Sequence, residues 1–289
     1  MKHCLILGCG YTGIRIAKRL WSKGFAITAT TRNAERQAKL QSLGCRVEGL
    51  DLNDEEALLR IADFVDKHSR VLLSIPPLKV IKNGVEYFQD PTARIVKSLG
   101  EFPARVVYLS TTGVYGKTRF VQEQTPVAPV TERQHRRVEA EHAVANGPWT
   151  SLILRPAAIY GPGRGIQSAI KKGDFRLAGN GDNFVSRIHV EDLSDLVVAA
   201  LESNITGHYP AADENPCTSR EIAFYCAGVL GLPEPISGGS KLMVGETRQA
   251  NRQVDGKAIC KMLGVTLRYP SYREGVVAAL AHENGEESA

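Results

Sequence analysis

Three glycines with the spacing G-x-G-x-x-G lie near the start of the chain, at Gly8, Gly10 and Gly13. An apolar run, His3 to Leu7, precedes them and a helical pattern follows, which predicts a strand, a tight turn and a helix. In that context Gly8 permits the turn, Gly10 lets the backbone approach a ligand, and Gly13 lets helix and strand pack closely. Because a helix N-terminus binds anions, we expect a dinucleotide pyrophosphate to contact the whole turn: Gly8, Cys9, Gly10, Tyr11, Thr12 and Gly13.

The residues after the second predicted strand, Ala26 to Thr30, distinguish two dinucleotides. Sites for NAD usually place a carboxylate here, about 20 residues past the glycines, on the ribose 2′-hydroxyl. This chain has Thr31 and Arg32 instead. A hydroxyl and a guanidinium can bind a 2′-phosphate that no carboxylate repels, so we predict NADP, with NAD less favoured. The alternative is an Arg32 that faces solvent.

Two further strand ends are predicted to line the same cofactor, because ligands of open α/β sheets lie at the carboxyl ends of the strands. Asp51, with Leu52 after it, ends the third strand and is placed to approach the adenine. Ser74, Ile75 and Pro76 end the fourth strand and are expected beside the adenosine ribose. The alternatives are an ordinary loop aspartate for the first group and a rigid turn for the second.

The elements that must position these residues alternate along the first half of the chain. Short apolar runs follow one another with helical patterns between them, which indicates a parallel sheet covered by helices on both faces. The predicted strands are His3 to Leu7, Ala26 to Thr30, Arg46 to Gly49, Val71 to Ile75, Arg105 to Ser110 and Thr150 to Leu154.

Beyond Arg155 the pattern changes, since Gly and Pro become frequent and the strand-like segments shorten. Capping boxes at Thr218 with Glu221 and at Ser271 with Glu274 start two later helices. We predict a Rossmann-type, doubly wound α/β domain over residues 1–158, to which residues 184–206 return. A smaller α+β substrate domain covers residues 159–183 and 207–283, and residues 284–289 form a frayed tail.

Composition excludes several classes of partner. The 36 basic and 31 acidic residues give a net charge of +5 that is dispersed along the chain, so we expect no nucleic-acid partner. No apolar stretch approaches the length of a membrane helix, and we expect no membrane partner. The six cysteines form no CxxC pair and lie near no histidine cluster, which predicts no metal site and a reducing, cytoplasmic location.

Four longer motifs accompany the glycine turn: YLSTTGVYG at Tyr108 to Gly116, LRPAAIYGPGR at Leu154 to Arg164, SRIHVEDLSDLVVAAL at Ser186 to Leu201 and YPSYREGV at Tyr269 to Val276. With these motifs the chain resembles the short-chain dehydrogenase/reductase superfamily, in its extended, NAD-dependent epimerase/dehydratase-like branch. The resemblance implies an oxidoreductase with a small-molecule substrate, for which a nucleotide-linked sugar is a candidate. Homodimers are common in that family.

The resemblance also assigns roles to side chains. In that family a Ser or Thr three residues before the Val of the VYG segment hydrogen-bonds the reacting oxygen, and Thr111 holds this place with Ser110 beside it. The family's acid/base Tyr and its Lys four residues later align with Arg133 and Arg137. An arginine cannot exchange a proton at neutral pH, so Arg133 cannot replace the Tyr. Arg137 is still expected to contact a ribose or phosphate of the cofactor.

The missing Tyr and Lys leave two hypotheses open. In the first, the chain is an NADP-dependent epimerase/dehydratase-like oxidoreductase in which Tyr115, His135 or another group transfers the proton. Tyr115 is more often a packing residue, and His135 is more often solvated. In the second, the chain is a non-catalytic NADP-binding sensor or scaffold. By the same resemblance Arg164, Arg187 and His189 are candidates to face an anionic ligand.

Overall fold

The structure is a computed structural model that describes residues 2–51, 54–82, 84–100, 103–237 and 250–285. The chain forms two compact units. Unit 1 comprises Met1–Gly116, Val127–Arg155 and Ser194–Tyr209, and unit 2 comprises Lys117–Pro126, Pro156–Leu193 and Pro210–Ala289. Leu52, one of the predicted cofactor contacts, lies outside the described residues.

A seven-stranded sheet forms the centre of unit 1. Numbered along the chain, its strands are β1 His3–Leu7, β2 Ala26–Thr30, β3 Arg46–Glu48, β4 Arg70–Leu73, β7 Arg105–Leu109, β9 Thr150–Pro156 and β13 Gly207–Ala211. Their order is β13-β9-β7-β4-β1-β2-β3, and the pairs from β9 to β3 are parallel. The chain winds outward from β1 in both directions, so the predicted doubly wound fold is confirmed.

Helices cover this sheet because its central strands are apolar on both faces. Every residue of β7 is buried, and β1, β4 and β7 contribute the core of unit 1 together with side chains from the flanking helices. The helices are α1 Gly13–Ser22, α2 Ala34–Ser42, α3 Glu55–Leu59, α4 Thr92–Ser98, α5 Glu132–Ala145 and α7 Val190–Glu202, with 3₁₀ turns at Arg60–Phe64 and Thr112–Tyr115.

A two-stranded antiparallel hairpin, β5 Leu78–Lys82 and β6 Val85–Gln89, is inserted between β4 and α4. The sequence interpretation above does not contain it. The hairpin lies against α5, where the guanidinium of Arg133 is 5.8 Å from the centre of the Phe88 ring. The residues after the predicted turn at Pro76 therefore form a local element of their own.

Arg105 links β7 to the end of α7 and to the residues that follow it. Its guanidinium is 4% exposed and donates hydrogen bonds to the carbonyl oxygens of Ala200, at 2.6 Å, and Ile205, at 2.7 Å. It also donates to the hydroxyls of Ser203 and Thr150. Carbonyls at a helix C-terminus lack partners within the helix, so a buried cation is well placed there.

In its described residues, unit 2 contains short strand pairs and four helices. The pairs are β8 Phe120–Val121 with β15 Gln253–Val254, β10 Ala158–Tyr160 with β12 Arg187–His189, and β11 Phe184–Val185 with β14 Cys217–Thr218. The helices are α6 Ile166–Lys171, α8 Ser219–Leu230, α9 Lys257–Leu263 and α10 Tyr272–Glu283. Both predicted capping boxes are present, at the starts of α8 and α10.

The domain boundaries predicted from the sequence differ from these units at four stretches: two of three residues each, 156–158 in unit 2 and 207–209 in unit 1, and two longer ones. Residues 117–126 and 184–193 belong to unit 2, although both were expected in the first domain. Pairing explains the difference, because β8 pairs with β15 and β12 pairs with β10 within unit 2.

Candidate dinucleotide site

The glycine turn is held in place by the end of β2. The amide of Gly8 donates to Thr30 Oγ1 at 3.0 Å, and the amide of Cys9 donates to the Thr30 carbonyl oxygen at 2.8 Å. Gly8 has φ +84°, and a Cβ there would lie 2.7 Å from the carbonyl oxygen of Ser74. Only glycine fits this position, because a side chain would meet both a strained backbone and another strand.

Gly10 and Gly13 serve different purposes. At Gly10 a Cβ would have no neighbour closer than 3.9 Å, so the backbone faces open space. At Gly13 a Cβ would lie 3.3 Å from Cys9 Sγ and 3.5 Å from Ile6 Cγ2, so this glycine lets α1 pack on β1. The first turn of α1 contains no acidic residue. The open space, the positive end of a helix and the small residues together form a cradle that a diphosphate fits.

Arg32 and Asp51, which were predicted to bind the same cofactor, contact each other. Arg32 Nη1 lies 3.4 Å from Asp51 Oδ2, with side chains 63% and 49% exposed. Beside them, Thr31 is buried. Its carbonyl oxygen accepts a hydrogen bond from Gln37 Nε2 at 2.9 Å. The structure therefore brings the predicted 2′-phosphate residue and the predicted adenine residue together at one edge of the sheet.

Arg36 is a candidate that the sequence interpretation missed. Asn33 caps α2 by accepting the amide of Arg36 at 2.9 Å. This cap places Arg36 in the first turn of the helix, where its Nη1 is 4.0 Å from the position of a Cβ on Gly10. Burial raises the pKa of the Cys9 thiol to about 12, and the positive charge of Arg36 opposes that rise. The missed signal is a second arginine four residues after Arg32, at the start of the next helix.

The end of β4 lies next to the glycine turn. The amide of Ser74 donates to the carbonyl oxygen of Leu7 at 2.9 Å. The Ile75 side chain is buried, and its Cγ1 would lie 2.8 Å from a Cβ on Gly8. Pro76 follows and is exposed. Ser74 and Ile75 are therefore next to the glycine turn, and their contact with a cofactor stays a prediction.

The predicted catalytic hydroxyls lie just after β7. Thr111 is half-buried and caps the 3₁₀ turn that begins at Thr112, since its Oγ1 accepts the amide of Gly113 at 3.1 Å. Ser110 is buried, and its hydroxyl donates to Glu141 Oε1 at 2.5 Å. Tyr115 is fully buried. Among these three residues, Thr111 is the one with a side chain that is partly accessible.

Glu141 and Arg155 join Ser110 and Tyr115 in one buried cluster. Arg155 Nη2 lies 2.6 Å from Glu141 Oε2, both side chains are 4% exposed, and Arg155 Nε donates to both carboxylate oxygens. Arg155 Nη1 also donates to the Tyr115 hydroxyl at 3.0 Å. The cluster links the end of β7, the 3₁₀ turn, α5 and β9. It positions the segment around Thr111 and gives Tyr115 a packing role, while proton transfer by Tyr115 stays a prediction.

The two arginines at the family's Tyr and Lys places have different environments on α5. Arg133 is exposed, whereas Arg137 is 6% exposed. Arg137 Nη1 contacts Asp90 Oδ2 at 3.1 Å, the carbonyl oxygen of Ile75 at 2.9 Å and the Tyr108 hydroxyl. Burial raises the pKa of Tyr108, and the charge of Arg137 lowers it. Arg137 is held by these protein groups, and its predicted contact with the cofactor stays a prediction.

Comparison with known proteins gives the family. The profile described as the NAD dependent epimerase/dehydratase family matches residues 4–211. The chain belongs to the NAD-dependent epimerase/dehydratase family. The match begins in β1 and includes both the glycine turn and the Thr111 segment, so the nicotinamide-dependent chemistry implied by the resemblance is supported in its coarse form.

Individual relatives and solved structures show how far the similarity extends. Protein YeeZ of Escherichia coli K12 is 30% identical over 282 residues, which cover 93% of this chain and 97% of that protein. A functionally unknown conserved protein from Silicibacter pomeroyi is 29% identical with a TM-score of 0.80, covering 98% of this chain and 99% of that one. MoeE5, solved in complex with UDP-glucose and NAD, is 19% identical with a TM-score of 0.78, covering 99% and 100%. At this identity, MoeE5 supports the fold alone.

Across the described ranges, no helix combines the length and the apolar character needed to cross a bilayer.

Proposed function

We propose that this protein binds NADP in preference to NAD and transfers a hydride to or from a small carbonyl or hydroxyl substrate. One observation carries the cofactor preference: Arg36 reaches the glycine turn from the first turn of α2, and Arg32 lies at the end of β2. A 2′-phosphate is a dianion at neutral pH, and two guanidinium groups are the side chains best suited to bind it.

The ion pair between Arg32 and Asp51 is compatible with this proposal. Both side chains are about half exposed or more, and an exposed pair contributes only about 0–1 kcal/mol to stability. Breaking this ion pair so that Arg32 can bind a phosphate therefore costs little free energy. Because Asp51 follows β3 rather than β2, its carboxylate does not stand at the position that usually selects a free 2′-hydroxyl.

When bound, nicotinamide supplies or accepts the hydride. The role proposed for Thr111 is to donate a hydrogen bond from Oγ1 to the reacting oxygen, with Ser110 and the buried Glu141 holding the strand end in position. A positioned donor lowers the barrier because it needs no reorganisation during the reaction. The resemblance and the ligands named for MoeE5 make a nucleotide-linked sugar the candidate substrate. The resemblance alone makes a homodimer the candidate assembly.

Calorimetric titration tests the cofactor preference. We expect NADP to bind wild-type protein at least about tenfold more tightly than NAD, and R32A and R36A each to weaken NADP binding by about tenfold or more while changing NAD binding little. R136A is the matched control, since Arg136 is an exposed arginine paired with Glu132 and Glu139 on α5. Equal affinities for both dinucleotides in wild-type protein would contradict the proposal.

A second candidate, a non-catalytic NADP-binding sensor or scaffold, is favoured by α5. At the places of the family's acid/base pair, Arg133 is exposed and Arg137 is held by Asp90, Tyr108 and Ile75. The two candidate functions predict different results for NADPH oxidation, which is measured by absorbance in the presence of UDP-linked sugars or small aldehydes. Turnover that falls at least about a hundredfold in T111V supports the enzyme. Tight NADP binding without turnover on any substrate supports the sensor.

A further inference from the structure

Arg133, Arg137 and Glu141 lie on one face of α5, because residues four apart in a helix stand above one another. Two of them reach the ends of the neighbouring strands β4 and β7. Glu141 accepts a hydrogen bond from the Ser110 hydroxyl just after β7, and Arg137 donates to the Ile75 carbonyl oxygen just after β4, at 2.9 Å. This face of α5 therefore covers the strand ends that carry the candidate catalytic segment and the residues next to the glycine turn.

The direction of α5 places Arg133 beyond those strand ends. The helix leads into β9, whose first residue, Thr150, pairs with Arg105 at the start of β7. The helix therefore runs from the carboxyl edge of the sheet back to its amino edge. Four residues toward the helix start correspond to about 6 Å along the axis. Arg133 thus lies about one turn further out than Arg137, on the side where ligands of open α/β sheets bind.

The hairpin of β5 and β6 borders the same face of α5. Asp90 Oδ2 lies 3.1 Å from Arg137 Nη1, and the centre of the Phe88 ring lies 5.8 Å from the guanidinium of Arg133. Side chains two residues apart along a strand point to the same side and are separated by about 6.6 Å, which matches four residues of a helix. The two contacts therefore share one register, and this register holds both arginines on the same face.

The two arginines differ in accessibility and in what the hairpin offers them. Arg137 is buried and is paired with the carboxylate of Asp90, whereas Arg133 is exposed and is next to the Phe88 ring. An aromatic ring attracts a guanidinium by its face and accepts none of the in-plane N–H groups that match a carboxylate or a phosphate. Because a guanidinium does not release a proton at neutral pH, the chemistry open to Arg133 is the binding of an anion.

We propose that Arg133 binds an oxyanion group of the substrate, a carboxylate or a phosphate, so that the substrate of this protein is an anion. The inference rests on the proposed function, since it takes the substrate to lie at the sheet edge beside Thr111. The 3₁₀ turn that follows Thr111 packs on α5, in the same unit as Arg133 and the hairpin. The guanidinium would hold the charged end of the substrate while Thr111 donates to the reacting oxygen.

Three small probes test this proposal by calorimetry or ligand-observed NMR on full-length protein. Binding of NADP⁺ is measured first, so a failure of the proposed cofactor is recorded separately. Benzoate, phenyl phosphate and benzamide, the uncharged isostere of benzoate, are then titrated with saturating NADP⁺ and without nucleotide. We expect saturable millimolar binding of at least one anion, and binding of benzamide at least about tenfold weaker. Preference for phenyl phosphate indicates a phosphate-bearing substrate, and preference for benzoate indicates a carboxylate.

Variants of α5 then locate the binding. R133M should weaken binding of the anions at least about tenfold and leave benzamide unchanged, and R133K should restore part of the affinity because it keeps the charge. R136M is the matched control, since Arg136 is an exposed arginine of α5 that is paired with Glu132 and Glu139, and it should bind like wild type. A merely structural defect would weaken charged and uncharged probes alike, and thermal unfolding checks that each variant is folded.

Two results would overturn the proposal. One is that neither anion saturates up to roughly 20 mM in either state, or that benzamide binds as tightly as the anions. The other is that R133M binds the anions like wild type. If either result accompanies tight NADP⁺ binding, the inference about Arg133 fails while the proposed cofactor preference stands.

Discussion

Arg155 binds both oxygens of Glu141 at a place where neither side chain is more than 4% exposed. Burying two charges is expensive, and mutual hydrogen bonds offset that cost only while both partners are present. The pair also holds the Ser110 and Tyr115 hydroxyls on either side of Thr111. Its integrity therefore affects both stability and the candidate catalytic segment.

Removing one partner of this pair should destabilise the protein strongly. We expect E141Q and R155M each to lower the free energy of unfolding by about 3–5 kcal/mol, because an uncompensated buried charge or donor remains. The double variant should lose less than the sum, which a double-mutant cycle in urea measures. As control, E139Q removes an exposed partner of Arg136 and should cost less than about 1 kcal/mol. Additive losses in the double variant would contradict the coupling.

Replacing Gly8 and Gly10 by alanine, one at a time, should affect stability and NADP binding differently. G8A is expected to lower stability by about 1–3 kcal/mol, because the residue has φ +84° and its Cβ would lie 2.7 Å from Ser74. G10A should change the melting temperature little, since a Cβ there has no neighbour within 3.9 Å. It should instead weaken NADP binding about tenfold or more, because the methyl group enters the space of the diphosphate. A G10A protein that binds NADP like wild type would show that the diphosphate lies elsewhere.

The pH dependence of stability should report on Asp213. Burial, Asp192 and Glu274 raise the pKa of this carboxyl in the folded state, and Arg187 only partly opposes them. Unfolded chains lose this proton near pH 4, so the folded state binds more protons above that pH, and Asp213 makes stability fall as pH rises toward its folded pKa.

D213N removes this titration. We expect the difference in unfolding free energy, D213N minus wild type, to increase with pH by more than about 1 kcal/mol between pH 4 and pH 8. Urea denaturation at each pH gives the values. D182N, at a side chain that is 73% exposed, should show no such trend. A difference for D213N that is flat with pH would mean that Asp213 ionises normally in the folded protein.

Local patterns were sufficient to predict six of the seven strands of the sheet in unit 1, and β13 was not predicted. Each predicted strand lies within about two residues of an observed one, because buried parallel strands are continuous apolar runs bounded by turns. The glycine turn could also be interpreted from local sequence, because its three glycines lie within six residues and each has its own steric requirement.

Contacts between distant residues could not be predicted. Arg137 pairs with Asp90, 47 positions away, and no local pattern distinguishes that pair from exposed charges. Arg36 could not be distinguished from an ordinary exposed helix arginine, because it lies six residues past the end of β2, within α2. The hairpin of β5 and β6 did carry a sequence signal, the dipeptide Asn83-Gly84 between two partly apolar segments, which is typical of hairpins.

The contacts of Arg105 bear on when unit 1 can finish folding during synthesis. Unit 1 is completed only by Ser194–Tyr209, and Arg105 needs the carbonyl oxygens of Ala200 and Ile205. Until that stretch has left the ribosome, the Arg105 guanidinium lacks both carbonyl acceptors. We therefore expect a fragment that stops at Arg155 to be less stable than unit 1 with Ser194–Tyr209 present, because it would leave Arg105 without these two acceptors.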